Sequence, residues 1–349
     1  MRRMAALLMT AVTLAGCSPG TTDTTTTTAT TTLPPTTTVA PTTAVETTAT
    51  AASSSDSGVT IVKDIDYLEM NDHQYLVDVY VPSGDGPWPV VIALHGFASS
   101  MKDDSYVTVV AKAAAEAGMV VFVPTWVAAF SSSPSAEDLS SGYAVSACAL
   151  AFAHQYAPDY DGDPGRIVTY GFSASADKAA WLALGHGTEP TPGCVADEQP
   201  TSPVGAVLGD SEYFLHTQLF QDGFDNDPAG MLEHVAALVD PATWPDDHAA
   251  RFRIWFAANG TGSRPFDDAW DENGWLAQRD PDGTIREDLD TLGQLDDGVI
   301  SFIDEGLLLA TRLRTAGVDV TVDEFPGGHD THDKVPDLVA YLLDAAGNG

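Results

Sequence analysis

Three cysteines in 349 residues, with no Cys-x-x-Cys pair among them, exclude a disulfide scaffold and leave no zinc-type spacing. Basic side chains are equally scarce. Lys and Arg number 15 against 50 Asp and Glu, a formal charge of -35, which argues against nucleic acid as a partner because phosphate binding needs clustered cations. Past the first twenty positions no apolar run approaches the roughly 18 residues that cross a bilayer. Apolar residues themselves are not lacking: at 44% hydrophobic and 9% aromatic the chain can bury a large core, so global disorder is excluded.

Arg2 and Arg3 precede an apolar run from Met4 to Ala15, and the run leads into Leu14-Ala15-Gly16-Cys17. About 12 apolar residues is the length of a signal-peptide core, too short for a span. Leu-Ala-Gly-Cys resembles the bacterial lipobox. The resemblance implies that residues 1–16 are a lipoprotein signal peptide and that Cys17 is lipidated. The protein would then be exported and held at a bacterial membrane surface by that lipid alone. An ordinary signal peptide with a cysteine near its end is the alternative. From Thr21 to Thr50, 18 of 30 residues are Thr, with Pro34, Pro35 and Pro41 interleaved. Such a composition cannot offset the entropy of ordering, so residues 17–58 read as a Thr/Pro-rich disordered tether. Residues 59–349 read as one folded domain, since no second linker of this kind interrupts them.

Within that domain, β-rich and helical stretches alternate. Val59 to Tyr67 and Tyr75 to Val81 read as a hairpin around Asn71-Asp72. Pro89 to Leu94 and Val120 to Val123 are continuous apolar strands, and Arg166 to Tyr170, Val204 to Leu208, Phe252 to Ala257 and Val318 to Phe325 follow. Between them, Ser105 to Ala117, Ser141 to Tyr156, Ser175 to Leu184, Ile300 to Thr315 and Val335 to Ala345 have helical composition. Apolar strands alternating with helices predict an α/β fold, a mostly parallel central sheet with helices on both faces.

One stretch carries chemistry. Arg166 to Tyr170 runs into a helix through Gly171-Phe172-Ser173-Ala174-Ser175, which resembles the nucleophile elbow G-x-S-x-G with serine at the last position. In that motif a sharp turn lifts the Ser173 hydroxyl above the sheet edge, and position 175 has only to be small. Ser173 as an ordinary helix N-cap is the competing reading. Earlier in the chain, Pro89 to Leu94 ends at His95-Gly96-Phe97. Near the C-terminus, Phe325-Pro326-Gly327-Gly328-His329-Asp330 follows the last strand, with His332 as a local competitor to His329.

With these motifs in this order, residues 60–345 resemble the α/β-hydrolase family, and within it the esterase and dienelactone-hydrolase-like branch. Asp163-Pro164-Gly165-Arg166-Ile167 is similar to the lead-in of that branch. The resemblance implies ester hydrolysis through an acyl-enzyme with Ser173 as nucleophile, His329 as general base and no cofactor. It also implies an oxyanion hole from the backbone N–H groups of Phe97 and Ala174. The substrate would be a small-molecule or polymeric ester. A peptidase or amidase of the same fold would carry the same three groups, and a non-catalytic surface binding protein could be built on the same scaffold.

The third group, an Asp, is placed less firmly by the sequence. After Phe252 to Ala257 the usual spacing finds Ser263. Further on, Asp296-Asp297-Gly298-Val299-Ile300 leads into a helix and resembles the family's entry to the segment before the last strand, so Asp297 is the first choice. Asp267, Asp268 and Asp210 are the alternatives. An insertion near 263–295 separates the half-matches, and 263–298 holds 11 acidic residues and 3 Arg. Asp159, Asp161 and Asp163 alternate as in a calcium loop, but Pro164 and Tyr170 stand where Gly and Glu are needed, and no metal is expected. Export makes a disulfide between Cys148 and Cys194 permissible, two buried thiols being the alternative. Trp126 is a candidate wall of the acyl pocket. Tyr213, Phe214, Phe220, Phe224 and Trp244 are candidates for a cap. Oligomeric state is not legible.

Overall fold

The computed structural model describes residues 58–96, 101–127, 136–189, 191–211, 237–238, 240–257, 263–265 and 299–347. Cys17, Phe97, Tyr213, Phe214, Phe220, Phe224, Asp267, Asp268 and Asp297 lie outside them.

Eight strands form the central sheet: β1 (Thr60–Met70), β2 (His73–Val81), β3 (Trp88–Leu94), β4 (Val120–Pro124), β5 (Gly162–Phe172), β6 (Gly205–Gly209), β7 (Arg251–Ala257) and, after two short strands β8 (Ser263–Pro265) and β9 (Val299–Ser301), β10 (Asp319–Phe325). Their order across the sheet is β1-β2-β4-β3-β5-β6-β7-β10. β2 runs antiparallel to β1 and β4, and every other neighbouring pair is parallel. Strands β8 and β9 pair antiparallel with each other, so Ile300 and Ser301, expected to open a helix, are extended and the helix starts at Phe302.

Five helices are bounded within the described residues: α1 (Ser105–Glu116), α2 (Ala136–Tyr156), α3 (Ala176–Ala183), α4 (Phe302–Thr315) and α5 (Val335–Ala345). Strand alternation sorts them onto two faces. On β3, Val90, Ile92 and Leu94 point into a core with Val145 and Leu150 of α2, Ala180 of α3 and Leu309 and Leu313 of α4. The intervening Val91 and Ala93 point into a second core with Val107 and Val110 of α1 and Leu338 and Leu342 of α5. Both faces being covered explains why β3 reads as an unbroken apolar run.

Residues 145–150 of α2 are all buried, so this helix is enclosed on more than the one face its Ala144-Ala147-Cys148-Ala151 pattern suggests. The enclosing element is the segment 191–198. Thr191 Oγ1 donates to the Ala144 carbonyl at 3.1 Å, and the Gln155 side-chain oxygen accepts from the Asp197 and Glu198 N–H groups. Between these points Cys194 is disulfide-bonded to Cys148, with Cα atoms 5.6 Å apart. The same segment pairs with edge strand β1: Val195 N–H donates to Tyr67 O at 2.9 Å and Glu69 N–H to Gly193 O at 3.3 Å. Among the described residues no helix is long and apolar enough to cross a membrane.

Candidate active site

Parallel strands β3, β5, β6, β7 and β10 all end on one edge of the sheet, and their C-terminal loops meet there, as ligand sites do in open parallel sheets. The turn after β5 holds Ser173 at φ 56°, a left-handed conformation that costs a non-glycine residue of the order of 1–3 kcal/mol and persists only when its surroundings enforce it. The enforcement is visible in neighbouring residues. A Cβ on Gly171 would stand 2.6 Å from the Ser175 carbonyl oxygen and 2.7 Å from the Ala176 Cα, so strand and helix pass at a distance only glycine permits.

Ser175 does more than remain small, which corrects the expectation for that position. It is fully buried, and its Oγ accepts from Phe172 N–H at 3.0 Å and donates to Leu94 O at 2.9 Å. The hydroxyl thereby ties the elbow to β3. Its own φ is −116°, which any residue adopts, so nothing in the backbone calls for the motif's glycine here.

His329 follows β10 through Gly327 and Gly328. Its Nε2 lies 3.0 Å from Ser173 Oγ and its Nδ1 lies 2.7 Å from Asp210 Oδ2. A carboxylate can only accept, so with Asp210 Oδ2 opposite Nδ1 the proton sits on that nitrogen and Nε2 is left to accept from the serine hydroxyl. The imidazole stacks on Phe172 with ring centres 4.6 Å apart, and Phe172 stacks in turn on Trp255 at 5.7 Å. Lys334, almost wholly buried, donates to the carbonyls on either side of His329: Gly328 O at 3.0 Å and Asp330 O at 2.6 Å. His332 faces elsewhere, with its Nδ1 2.7 Å from Asp330 Oδ1 and its ring edge-on to Tyr106.

The carboxylate at His329 is therefore that of Asp210, which corrects the preference for Asp297. Asp297, like Asp267 and Asp268, lies outside the described residues, and the nitrogen any of them would need is bonded to Asp210. The physical reason lies in strand order. β6 sits between β5, which carries Ser173, and β7, next to β10, which leads to His329, so the end of β6 lies within the row of strand termini that the serine and the imidazole span. Asp210 is the residue that leaves β6, with φ 36°. Its N–H donates to Trp255 O at 2.9 Å and its Oδ1 accepts from Ala257 N–H at 3.1 Å, which fixes the carboxylate from the β7 side. The available signal was the apolar strand Val204 to Leu208 ending in Gly209-Asp210, the next strand in the chain after the Ser173 turn.

At the end of β3, His95 is fully buried. Burial pulls its pKa down from 6.5 to about 4 against the raising effect of its hydrogen bond to the Gly96 carbonyl. The neutral ring donates from Nδ1 to Gly96 O at 2.8 Å, and its Nε2 accepts from Trp126 N–H at 3.4 Å. Trp126 returns a bond from its indole N–H to His95 O at 2.6 Å. Trp126 is only 3% exposed, so it locks this turn and is not an open pocket wall as expected. The turn it locks abuts the elbow: a Cβ on Gly96 would lie 3.3 Å from the Ser173 Cβ. Beneath Trp126, Lys178 Nζ lies 4.8 Å from the ring centre, pairs with Asp177 at 2.9 Å and donates to Ala174 O at 3.2 Å. The Tyr143 hydroxyl completes the cluster by donating to Asp177 Oδ2 at 2.7 Å.

Of the remaining sequence candidates, Asp163 is occupied by Gly165 N–H and Arg166, each at 2.9 Å, and serves its own turn. Trp244 is buried, with its indole N–H on Ala237 O at 2.9 Å.

No protein-family model and no curated protein matches this chain. Solved structures do. A truncated carbohydrate esterase from gut microbiota is similar over 84% of this chain and 99% of its own, at 13% identity and a TM-score of 0.53. A thermophilic esterase from the Planctomycetes species Thermogutta terrifontis matches over 83% of this chain and 93% of its own, at 18% identity and a TM-score of 0.51. Brefeldin A esterase, a bacterial homologue of human hormone-sensitive lipase, covers 83% of this chain and 78% of its own, at 17% identity and 0.51. At such identities the likeness defines the fold: this chain has the α/β-hydrolase fold.

Proposed function

We propose that this protein is a serine hydrolase that cleaves carboxylic esters, with Ser173 as nucleophile, His329 as general base and Asp210 as the acid. The observation that carries the reading is the single file of contacts Ser173 Oγ–His329 Nε2 at 3.0 Å and His329 Nδ1–Asp210 Oδ2 at 2.7 Å, with Ser173 held in a strained turn. In the reaction, Ser173 Oγ bonds to the ester carbonyl carbon while its proton passes to His329 Nε2. The charge that develops on the carbonyl oxygen is met by the N–H groups of Ala174 and Phe97. Collapse expels the alcohol, which takes the proton from His329 and leaves an acyl-Ser173. Water repeats the sequence, releasing the carboxylic acid and restoring the serine. Asp210 keeps the imidazole in the tautomer that accepts at Nε2 and stabilises its cationic form.

The esterase character of the structural neighbours supports an ester over an amide, and a small-molecule or polymeric ester remains the substrate class. Two features would favour a non-catalytic binding protein: serine in place of the last elbow glycine, and the want of an acid near His329. Ser175 is accommodated by its own hydrogen bonds and Asp210 stands at the imidazole, so neither feature now speaks against catalysis.

A fluorophosphonate probe should label the wild-type protein and not Ser173→Ala, and short-chain nitrophenyl esters should be turned over by the wild type alone. An unlabelled, inactive but folded wild type would defeat the reading. Parallel amide substrates decide between esterase and amidase.

Export and lipid anchoring through Cys17 belong to the same proposal and rest on the Leu14-Ala15-Gly16-Cys17 motif. Cys17→Ser should leave the membrane fraction. If that variant stays there at wild-type mass, the anchor is not at Cys17.

A further inference from the structure

Ser211, the residue after Asp210, is fully buried, and its hydroxyl donates a hydrogen bond to the carbonyl oxygen of Ser173. That carbonyl and the Ala174 N–H are opposite ends of one planar peptide unit. The same oxygen also accepts from the Ala176 N–H, so it has two donors.

We propose that Ser211 is a positioning residue for acyl transfer: its hydroxyl orients and polarises the 173–174 peptide, so that the Ala174 N–H is a fixed and strengthened donor to the oxyanion. The inference rests on the reading of Ser173 as nucleophile.

Two physical effects act together. A hydrogen bond at a peptide oxygen draws electron density from the nitrogen and makes the N–H a better donor, the cooperative strengthening of bonds in series. Stabilisation of a developing oxyanion also depends on donors aimed before the charge appears, because reorientation during the reaction costs free energy. The 173–174 peptide sits in a left-handed turn at φ 56°, where backbone preference alone does not hold its plane. Ser211 grips it from the end of the neighbouring strand. The grip is itself rigid, since the preceding Asp210 is bonded on both its N–H and its Oδ1 to β7.

Consecutive residues at the end of β6 thus serve two different parts of the machinery. Asp210 reaches the imidazole, and Ser211 reaches the peptide that meets the substrate oxygen. No contact with substrate is implied for Ser211. Its effect passes through Ala174.

The test is ester kinetics on the full chain with Ser211→Ala, Ser211→Cys and Ser211→Thr. Loss of a whole oxyanion donor costs two to three orders of magnitude in kcat, and weakening one should cost less. Ser211→Ala should lower kcat by about tenfold with KM within about twofold. Affinity for a trifluoromethyl ketone, which forms a tetrahedral oxyanion on the serine, should fall by the same factor as kcat/KM. Ser211→Thr, which keeps the hydroxyl, should recover most of the loss, and Ser211→Cys, a weaker donor of similar size, should lie between. The pH dependence of kcat/KM should not move, because the His329–Asp210 pair is untouched. Wild-type kcat in Ser211→Ala overturns the inference. So does a loss of kcat accompanied by a shifted pH profile, which would mean that Ser211 acts by holding Asp210. A folded wild type that neither labels with fluorophosphonate nor hydrolyses any ester defeats the reading of Ser173 and this inference together. An active wild type equalled by Ser211→Ala defeats this inference alone.

Discussion

Asp210 and His329 meet at 2.7 Å across 119 positions of sequence, and the carboxylate that makes this contact has no exposed surface. A buried acceptor opposite one imidazole nitrogen fixes which nitrogen faces the serine. Asp210→Asn would offer that nitrogen a group able to donate, and so favour the wrong tautomer. Turnover should fall by up to about 10⁴-fold, the scale seen when a triad aspartate becomes asparagine. Asp297→Asn should stay within about tenfold of wild type. Steady-state kinetics of the two variants decide the matter, and the reverse ranking would return the role to Asp297.

The second prediction concerns Ser175. Removing its hydroxyl leaves the Phe172 N–H and the Leu94 carbonyl short of a partner in a site closed to water. A buried group stranded in this way costs about 1–3 kcal/mol. Ser175→Ala should therefore lower the urea midpoint by a corresponding amount and reduce kcat through a loosened elbow. Ser175→Gly should do the same, despite restoring the motif. Wild-type stability in both variants would mean that these bonds contribute nothing.

The third is a pH dependence of stability. His95 has a folded-state pKa of about 4, pulled below its ordinary 6.5 by burial. Between these values the unfolded chain binds the proton and the folded chain does not, so stability rises with pH across this window and is lost as pH falls from 6.5 towards 4. The slope approaches 1.4 kcal/mol per pH unit, for a total of about 3 kcal/mol. Denaturation midpoints at pH 7 and pH 4.5 should differ less in His95→Asn than in the wild type, since an amide has no proton to gain. Equal differences would remove His95 as the cause.

The disulfide supplies the fourth. Cys148 and Cys194 close a loop with a sequence separation of 46, for which chain-entropy reasoning gives about 4 kcal/mol and typical measured values are about 2–4. The double variant Cys148→Ala/Cys194→Ala should lose stability in that range while keeping most of its ester turnover, because the bridge joins α2 to the segment on β1, away from the ends of β5, β6 and β10. A collapse of activity at unchanged stability would contradict this.

What the sequence discloses here follows from the range of the physics involved. Val90 to Leu94 reads as a strand because both faces of it are covered, and that is a local property. Gly171-Phe172-Ser173 reads as a turn between strand and helix for the same reason. The partner of His329 is a lateral property. It depends on β6 lying beside β5, and strand order is set by packing on both faces of the sheet, which no stretch of residues spells out. The preference for Asp297 arose from following the chain towards His329, whereas the sheet brings Asp210 to it sideways. The hydroxyls of Ser175 and Ser211 were illegible for a related reason: small polar residues near a turn look alike in sequence, and only the carbonyls they reach, Leu94 and Ser173, distinguish them.

The last strand, β10, has β7 on one side and no described strand on the other. Such a margin is where a second molecule could extend the sheet by adding a strand of its own. The side chains of Asp323 and Glu324 along β10 are exposed, while Asp319 is paired with Arg253 at 2.9 Å, so a copy of this chain arriving there would bring its own carboxylates up to Asp323 and Glu324. At the opposite margin, the segment carrying Cys194 already occupies part of the hydrogen-bonding edge of β1. Carboxylates along one border and a fastened length of chain on the other are both devices that discourage edge-to-edge pairing of sheets.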